Sequence, residues 1–360
     1  MRSSPSRISS PSRQRSGDVG SEPEPPEPGT RTTDWARWWD RVGILAVLVA
    51  LVILMAIIAP NFVSVSNLLD VTRATSINAI IAAGMTFVIL AAGIDLSVGS
   101  IVAVSGVASV LVAIAGAPAV VAVIVGVVAG ALAGYFNGIL TAYLSLAAFI
   151  VTLGSMTFLR GLAYTLTGGE PVVANLLSFR GIGNGYLAGI PAPVVVMVLV
   201  YAGAWFTLEH TRYGRHVYAV GGNADAARLA GIEVKRVLTS VYVLSGACAG
   251  LAGVIFAARV VSAQPIAGTG YELNAIAAVV LGGTSLVGGR GRLIGTLIGA
   301  LILGVLNNGL ILMNVSSFTQ QVIVGLVIIA AVAIDSLKTK TLRLPGFANR
   351  QSRQPQEPQQ

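Results

Sequence analysis

Few residues in this 360-residue chain carry side chains able to make or break bonds, and their spacing narrows the options further. Lys235, Lys338 and Lys340 are its only lysines, and a Walker A loop needs Gly-Lys followed by Ser or Thr so that the lysine can reach the phosphates. None of the three follows a glycine, so that route to ATP hydrolysis is closed. His210 and His216 share one charged loop, where solvated surface roles suit them. Cys248 is the single cysteine, which rules out an intrachain disulfide and a cysteine metal cluster. Flanked by Gly246, Ala247, Ala249 and Gly250, it reads as a small packing residue. No carboxylate pair, His-rich cluster or nucleophile elbow stands out, so the residues argue for no catalytic group, no metal and no cofactor.

What remains is the chemistry of binding and passage. Ionisable residues inside apolar segments are costly and mark ion or proton relays. The candidates are Asp95, Arg160, Arg259 and Glu272, and all but Asp95 fall near a segment edge. Uncharged polar residues are more numerous there: Asn78, Thr86, Asn137, Thr152, Ser155, Asn307 and Asn308. A passage lined by amides and hydroxyls suits a neutral, hydroxyl-rich solute better than an ion. The candidate lining set is Asn78, Asp95, Ser97, Asn137, Glu272, Asn274, Asn307 and Asn308. The competing reading is that these groups bond helix to helix, at about 0.6 kcal/mol each.

The elements that must hold these residues are set by composition. With 54% hydrophobic and 11% charged residues and a mean hydropathy of +0.80, the chain is no ordinary soluble domain. A span needs about 20 mostly apolar residues. Such segments fall at 42–59, 74–92, 98–116, 119–142, 147–166, 192–208, 238–258, 274–288, 293–313 and 319–336. The expected fold is an all-α, polytopic transmembrane bundle of about ten segments, some broken or re-entrant. The net charge of +8 would suggest nucleic acid in a soluble protein. Here the basic residues lie in tails and short loops, so no nucleic-acid partner is expected. Loops near 143–146, 209–237 and 289–292, together with the tail after 337, carry Arg212, Arg215, Arg228, Lys235, Arg236, Arg290, Arg292, Lys338 and Lys340. The opposite loops hold Arg73, Arg180 and Arg259. The bias places both termini in the cytoplasm.

Residues 1–34 are rich in Ser, Pro, Arg and Glu, cannot bury enough surface to order themselves, and read as a disordered cytoplasmic tail. Trp35, Trp38 and Trp39 with Arg37 and Arg41 form an interfacial anchor to membrane lipid. Residues 35–337 make the permeation domain, and 338–360 a second polar tail.

Three patterns refine this picture. Gly126, Gly130, Gly134 and Gly138 recur every fourth residue and form a helix-packing seam, since small residues at this spacing let helices approach closely in lipid. The second span runs into Gly93-Ile94-Asp95-Leu96-Ser97-Val98-Gly99, and the short segment from Asn274 ends in Gly282-Gly283 and Gly288-Gly289. These are either broken segments lining a translocation route or ordinary turns at span ends. Both begin alike, Asn78-Ala79-Ile80 and Asn274-Ala275-Ile276, as an internal duplication would. Thirdly, the long charged stretch Glu209–Arg236 predicts a short docking helix. Asn223 caps its start, Asp225 lies in its first turn, Arg228 near its end, and Gly231 takes the left-handed position after it. Ala226, Leu229 and Ala230 give it an apolar face, and so short a helix needs packing or a partner.

Several segments carry a resemblance. Gly93-Ile94-Asp95-Leu96-Ser97-Val98-Gly99-Ser100, Gly221-Gly222-Asn223, Ser262-Ala263-Gln264-Pro265, Gly268-Thr269-Gly270-Tyr271-Glu272-Leu273 and Ala278-Val279-Val280-Leu281-Gly282-Gly283-Thr284-Ser285 resemble the membrane permease of bacterial ribose-type ABC importers. The similarity spans roughly 42–336 and is most specific over Ser262–Leu310. Asp225-Ala226-Ala227-Arg228-Leu229-Ala230-Gly231 resembles the Glu-Ala-Ala, three residues, Gly loop by which such permeases contact their ATPase. Asp replaces the usual Glu, and no proline follows between Ile232 and Leu238. The resemblance implies a second permease copy, a cytoplasmic ATPase subunit that explains the missing Walker A, and an extracytoplasmic sugar-binding protein. It favours ribose among monosaccharides. The alternative, motivated by Asp95 and the interrupted segments, is an ion-coupled secondary sugar carrier or channel acting alone.

Overall fold

The structure, a computed structural model, describes residues 34–341. The polar tails expected at 1–34 and 338–360 lie almost entirely outside these residues, as do the side chains of the tryptophan and arginine anchor. Contacts set the residues from Val42 onward apart as one unit, and the description concerns that unit.

In chain order the elements are α1 (Asp34–Ile58), α2 (Val65–Leu90), α3 (Val98–Ile114), α4 (Ala119–Ala142), α5 (Ala148–Thr167), β1 (Val172–Val173), α6 (Gly181–Asn184), β2 (Tyr186–Leu187), β3 (Ile190–Pro191), α7 (Ala192–His210), α8 (Arg212–Gly222), α9 (Ala224–Leu229), α10 (Val234–Val260), β4 (Ser262–Ala263), α11 (Tyr271–Leu281), α12 (Leu293–Leu312) and α13 (Ser317–Thr341). The strands form two small antiparallel pairs, β1 with β4 (Val172 opposite Ala263) and β2 with β3. Each of the ten expected apolar segments overlaps one helix, although the one expected at 274–288 is helical only as far as Leu281 and continues as a loop. Six helices, α2, α4, α5, α7, α10 and α12, are long and apolar enough to cross a membrane. The protein is a helical membrane protein.

Two helices form the interior. The most apolar stretch of α2 is 83% buried and that of α10 67%, against 22% for α4 and α7. A helix that is apolar all round belongs inside a bundle, and Ala79–Leu90 of α2 contains only Thr86 as a polar interruption. The outer helices turn large side chains outward, among them Leu132 and Phe136 of α4 and Phe149 and Phe158 of α5. Lipid accommodates such a surface, whereas water would not.

Glycine brings α4 onto α10. A Cβ added at Gly130 would stand 2.8 Å from the Gly250 Cα, and one at Gly138 would stand 2.8 Å from the Thr239 Cα. Gly246 returns the contact, its added Cβ falling 3.0 Å from the Gly134 Cα. Gly126 lies higher and meets α3 as well, 3.0 Å from the Ser105 carbonyl oxygen. The two backbones therefore touch without intervening side chains, which positions Asn137 and Ser245 on the same interior wall.

Candidate functional site

Where α2 gives way to α3, the chain turns inside the protein. Ala92 adopts a left-handed φ of 61°, and the Gly93 amide bonds back to the Val88 carbonyl at 2.9 Å. The Asp95 carboxyl then closes an Asx-type turn, its Oδ1 accepting from the Ser97 amide at 3.0 Å and from the Ser97 hydroxyl at 2.6 Å. A short polar side chain that bonds its own backbone two residues on favours a turn over continued helix. Here that preference stops one helix and starts the next.

From Asp95 a hydrogen-bonded chain crosses four elements. The Ser245 hydroxyl of α10 donates to Asp95 Oδ2 at 3.0 Å. The Asn137 amide of α4 donates to the Ser97 hydroxyl at 2.8 Å, and the Ser155 hydroxyl of α5 donates to Asn137 Oδ1. Tyr242 and Thr152 both direct their hydroxyls to the Ile94 carbonyl, at 3.3 and 3.4 Å. Asp95, Ser97, Asn137 and Ser245 are completely buried. Ser245 is the twelfth residue of α10, about 16 Å along the helix axis from its start. The cluster is thus deep in the bundle, and the ion pairs among the described residues, Asp70–Arg73, Asp225–Arg228 and Glu233–Arg236, do not include Asp95. A buried carboxyl held by hydroxyls and amides suits polar neutral chemistry, since such a network is strong when every member is bonded.

A second irregular segment meets the first. After α10 the chain pairs as β4, passes through 264–270 and enters α11 from Gly270, whose φ is 82°. Arg160 of α5 donates from one guanidinium nitrogen to the carbonyls of Pro265 and Ala267, both at 2.7 Å. Glu272 accepts from the Gly270 amide at 3.2 Å. Gly268 reaches the start of α3, where an added Cβ would lie 3.1 Å from the Gly99 carbonyl carbon. The first turns of α3 and α11 therefore lie against each other.

The other candidate lining residues lie apart from this cluster. Asn308 and Asn67 exchange side-chain amide bonds at 2.9 and 3.0 Å, tying α12 to α2. Thr86 and Thr296 make a further α2–α12 bond at 2.9 Å. Asn78 Oδ1 is buried without a partner, while Asn274 and Asn307 are half-buried. Ser245 and Tyr242 were missed by sequence reading. Their signal was an i, i+3 polar pair beside the glycines of α10, which packing alone would not require.

The charged stretch 209–236 holds two helices rather than the one expected. Thr211 caps α8, accepting from the Gly214 amide at 3.2 Å, and Gly214, Val217, Val220 and Gly221 form its buried face. Arginines and histidine between these positions disguise the spacing. Burial pushes the Tyr218 phenol above its ordinary pKa, so it stays protonated and donates to the Gly291 carbonyl at 3.1 Å. In α9 the Asn223 side chain accepts from the Ala226 amide at 2.9 Å. Gly231, at φ 83°, donates to Arg228, and Ile232 to Ala227, both at 3.0 Å. These two bonds are a Schellman stop. Ala227 packs inward, whereas Ala226, Leu229 and Ala230 face outward, with Leu229 90% exposed. Leu229 thus stands exposed beside the Asp225–Arg228 ion pair.

Residues 67–332 match the family described as the permease component of branched-chain amino acid transport systems. The ribose import permease of Escherichia coli is 48% identical over 318 residues, covering 86% of this chain and 99% of that protein. The ribose import permease of Bacillus subtilis is also 48% identical, over 83% of this chain and 94% of its own. The D-allose transport system permease of Escherichia coli is 39% identical over 85% and 95%. No solved structure matches the chain significantly.

Proposed function

The chain belongs to this family of transport-system permease components, and from that premise we propose that it is the membrane-spanning subunit of an ATP-binding cassette importer for ribose. The observation that carries the proposal is the 48% identity to a ribose import permease over 99% of that protein's length. ATP is hydrolysed by a separate cytoplasmic subunit, which fits lysines that follow no glycine. An extracytoplasmic binding protein delivers the sugar, and a second permease copy completes the passage.

In this reading all ten apolar segments belong to the membrane domain at 35–337, with polar tails at 1–34 and 338–360 and both termini cytoplasmic. The basic residues gathered on one set of loops support that orientation. Asn223, Asp225, Ala226, Ala227, Arg228, Leu229 and Gly231 form the ATPase-docking element. Its end caps hold α9 without help from a partner, which leaves the outward face free for contact. Ser97 and Asn137 stand beside the α2–α3 break, and their hydroxyl and amide can exchange bonds among themselves for bonds to sugar hydroxyls as the break opens. Asn78 supplies a buried, unpartnered acceptor. Glu272 and Asn274 lie in the first turn of α11, and Asn307 and Asn308 toward the end of α12.

The deciding experiment is uptake into vesicles. With the ATPase and binding protein present, ribose accumulates only when ATP is supplied on the ATPase side; accumulation by this chain alone overturns the assignment. A second result concerns docking. Leu229→Asp places a charge on the outward face and weakens ATPase co-purification by about tenfold or more, equivalent to about 1.4 kcal/mol. Membrane insertion is unchanged. Wild-type co-purification in that variant removes α9 from the contact.

A further inference from the structure

Three stretches of backbone meet directly beneath the α2–α3 break. Gly221 at the end of α8 is buried, and a Cβ added there would stand 2.8 Å from both the Leu90 carbonyl carbon and the Gly289 amide nitrogen. At Gly289 the added atom would fall 2.7 Å from the Gly222 Cα. At Gly288 it would fall 2.8 Å from the Gly221 carbonyl oxygen and 2.9 Å from the Ala92 amide nitrogen. Hydrogen bonds close the same point: the Gly289 amide donates to the Leu90 carbonyl at 2.9 Å, and Tyr218 to the Gly291 carbonyl at 3.1 Å. The loop from 282 to 292 is itself braced by the Ser285 amide on the Arg290 carbonyl at 2.9 Å.

This place in the chain matters. Gly222 alone separates Gly221 from Asn223, the N-cap of α9. On the other side Leu90 and Ala92 lead directly into Ile94, Asp95 and Ser97. Side chains between two elements absorb small displacements by changing rotamer, whereas backbone in contact with backbone has no such freedom. Close-packed protein transmits strain, and contacts without side chains do so with least loss.

We infer that Gly221, seated against Leu90 and Gly289, is the joint through which a displacement of α9 reaches the Asp95 turn and the α11–α12 loop together. Gly221 is then a positioning residue for transport. The inference rests on α9 being the ATPase contact, and the two ideas are separable: Leu229→Asp tests the contact and Gly221→Ala the joint.

The measurement is ATP hydrolysed per ribose accumulated, in vesicles holding the full permease with its ATPase and binding protein. Gly221→Ala is recovered in smaller amount because its Cβ meets the Leu90 carbonyl, but the permease that assembles binds its ATPase and hydrolyses ATP at the wild-type level per complex, while ribose uptake per complex falls at least tenfold. Gly222→Ala is the control, since an added Cβ there has no atom within 4 Å, and it transports normally. Uptake by Gly221→Ala within twofold of wild type overturns the joint, as does an equal loss in Gly222→Ala. Should Gly221→Ala fail to assemble, Tyr218→Phe decides: it removes one hydroxyl bond, and the ATP consumed per ribose at least doubles. An unchanged ratio in Tyr218→Phe then overturns the inference.

Discussion

Replacing Asp95 by alanine is expected to abolish ribose uptake and lower the yield of folded permease, whereas Asp95→Asn keeps uptake within about threefold of wild type, a difference of under about 1 kcal/mol. Alanine strands the Ser97 amide, the Ser97 hydroxyl and the Ser245 hydroxyl, all donating to this carboxyl. A buried donor left without its acceptor costs about 1–3 kcal/mol, so three of them amount to about 3–5 kcal/mol with partial relaxation. Asparagine retains one oxygen for Ser97, and its amide can donate to the Ser245 oxygen. Thermal unfolding in detergent separates lost stability from lost transport. An ion-coupled carrier would behave otherwise, because a carboxylate that binds the coupling ion cannot be replaced by a neutral amide. If Asp95→Asn folds normally yet moves no sugar, and wild-type flux follows the proton or sodium gradient at constant ATP, the solitary carrier replaces the ATP-driven permease.

Gly134→Leu is expected to remove the folded protein from the membrane almost completely, the second large effect. Even the first carbon of a side chain at Gly134 would stand 2.8 Å from the Tyr242 carbonyl carbon and 3.2 Å from the Gly246 Cα. Overpacking by a few methylenes commonly costs about 1–3 kcal/mol when side chains can shift. Here the obstruction is backbone, so α4 must separate from α10, the helix whose Ser245 bonds Asp95. Gly203→Leu is the matching control, because an added Cβ on that exposed position of α7 meets nothing within 4 Å. The check is the amount of each variant recovered from membranes as a single detergent-soluble species. Normal recovery of Gly134→Leu would show that the seam tolerates separation.

The Asp95 variants and the seam variant draw on different kinds of information. Gly126, Gly130, Gly134 and Gly138 were visible because one helix's own period places every fourth residue on one side. Asn223 and Gly231 could be read in the same way, since a cap satisfies backbone groups within a turn of itself. The second helix in the same stretch was not anticipated. Its buried Gly214, Val217, Val220 and Gly221 are interrupted by Arg215, His216 and Tyr218, and a short apolar stripe broken in this way carries little signal until it has something to pack against.

Partners across the chain are a different matter. Asp95 bonds Ser245, 150 residues away, and Ser97 bonds Asn137, 40 residues away. Asn308 finds Asn67 across 241. Helix crossings decide such meetings, and no spacing within a segment encodes them. By itself the sequence determined the ten apolar segments, the charge bias of the loops, the glycine seam and the capped α9, all of which follow from periodicity and local hydrogen bonding. Only the tertiary structure decided that Asp95 faces hydroxyls rather than a cation, that Leu229 points outward, and that Gly221 sits against Leu90 and Gly289, because each depends on which backbone the packed bundle brings alongside.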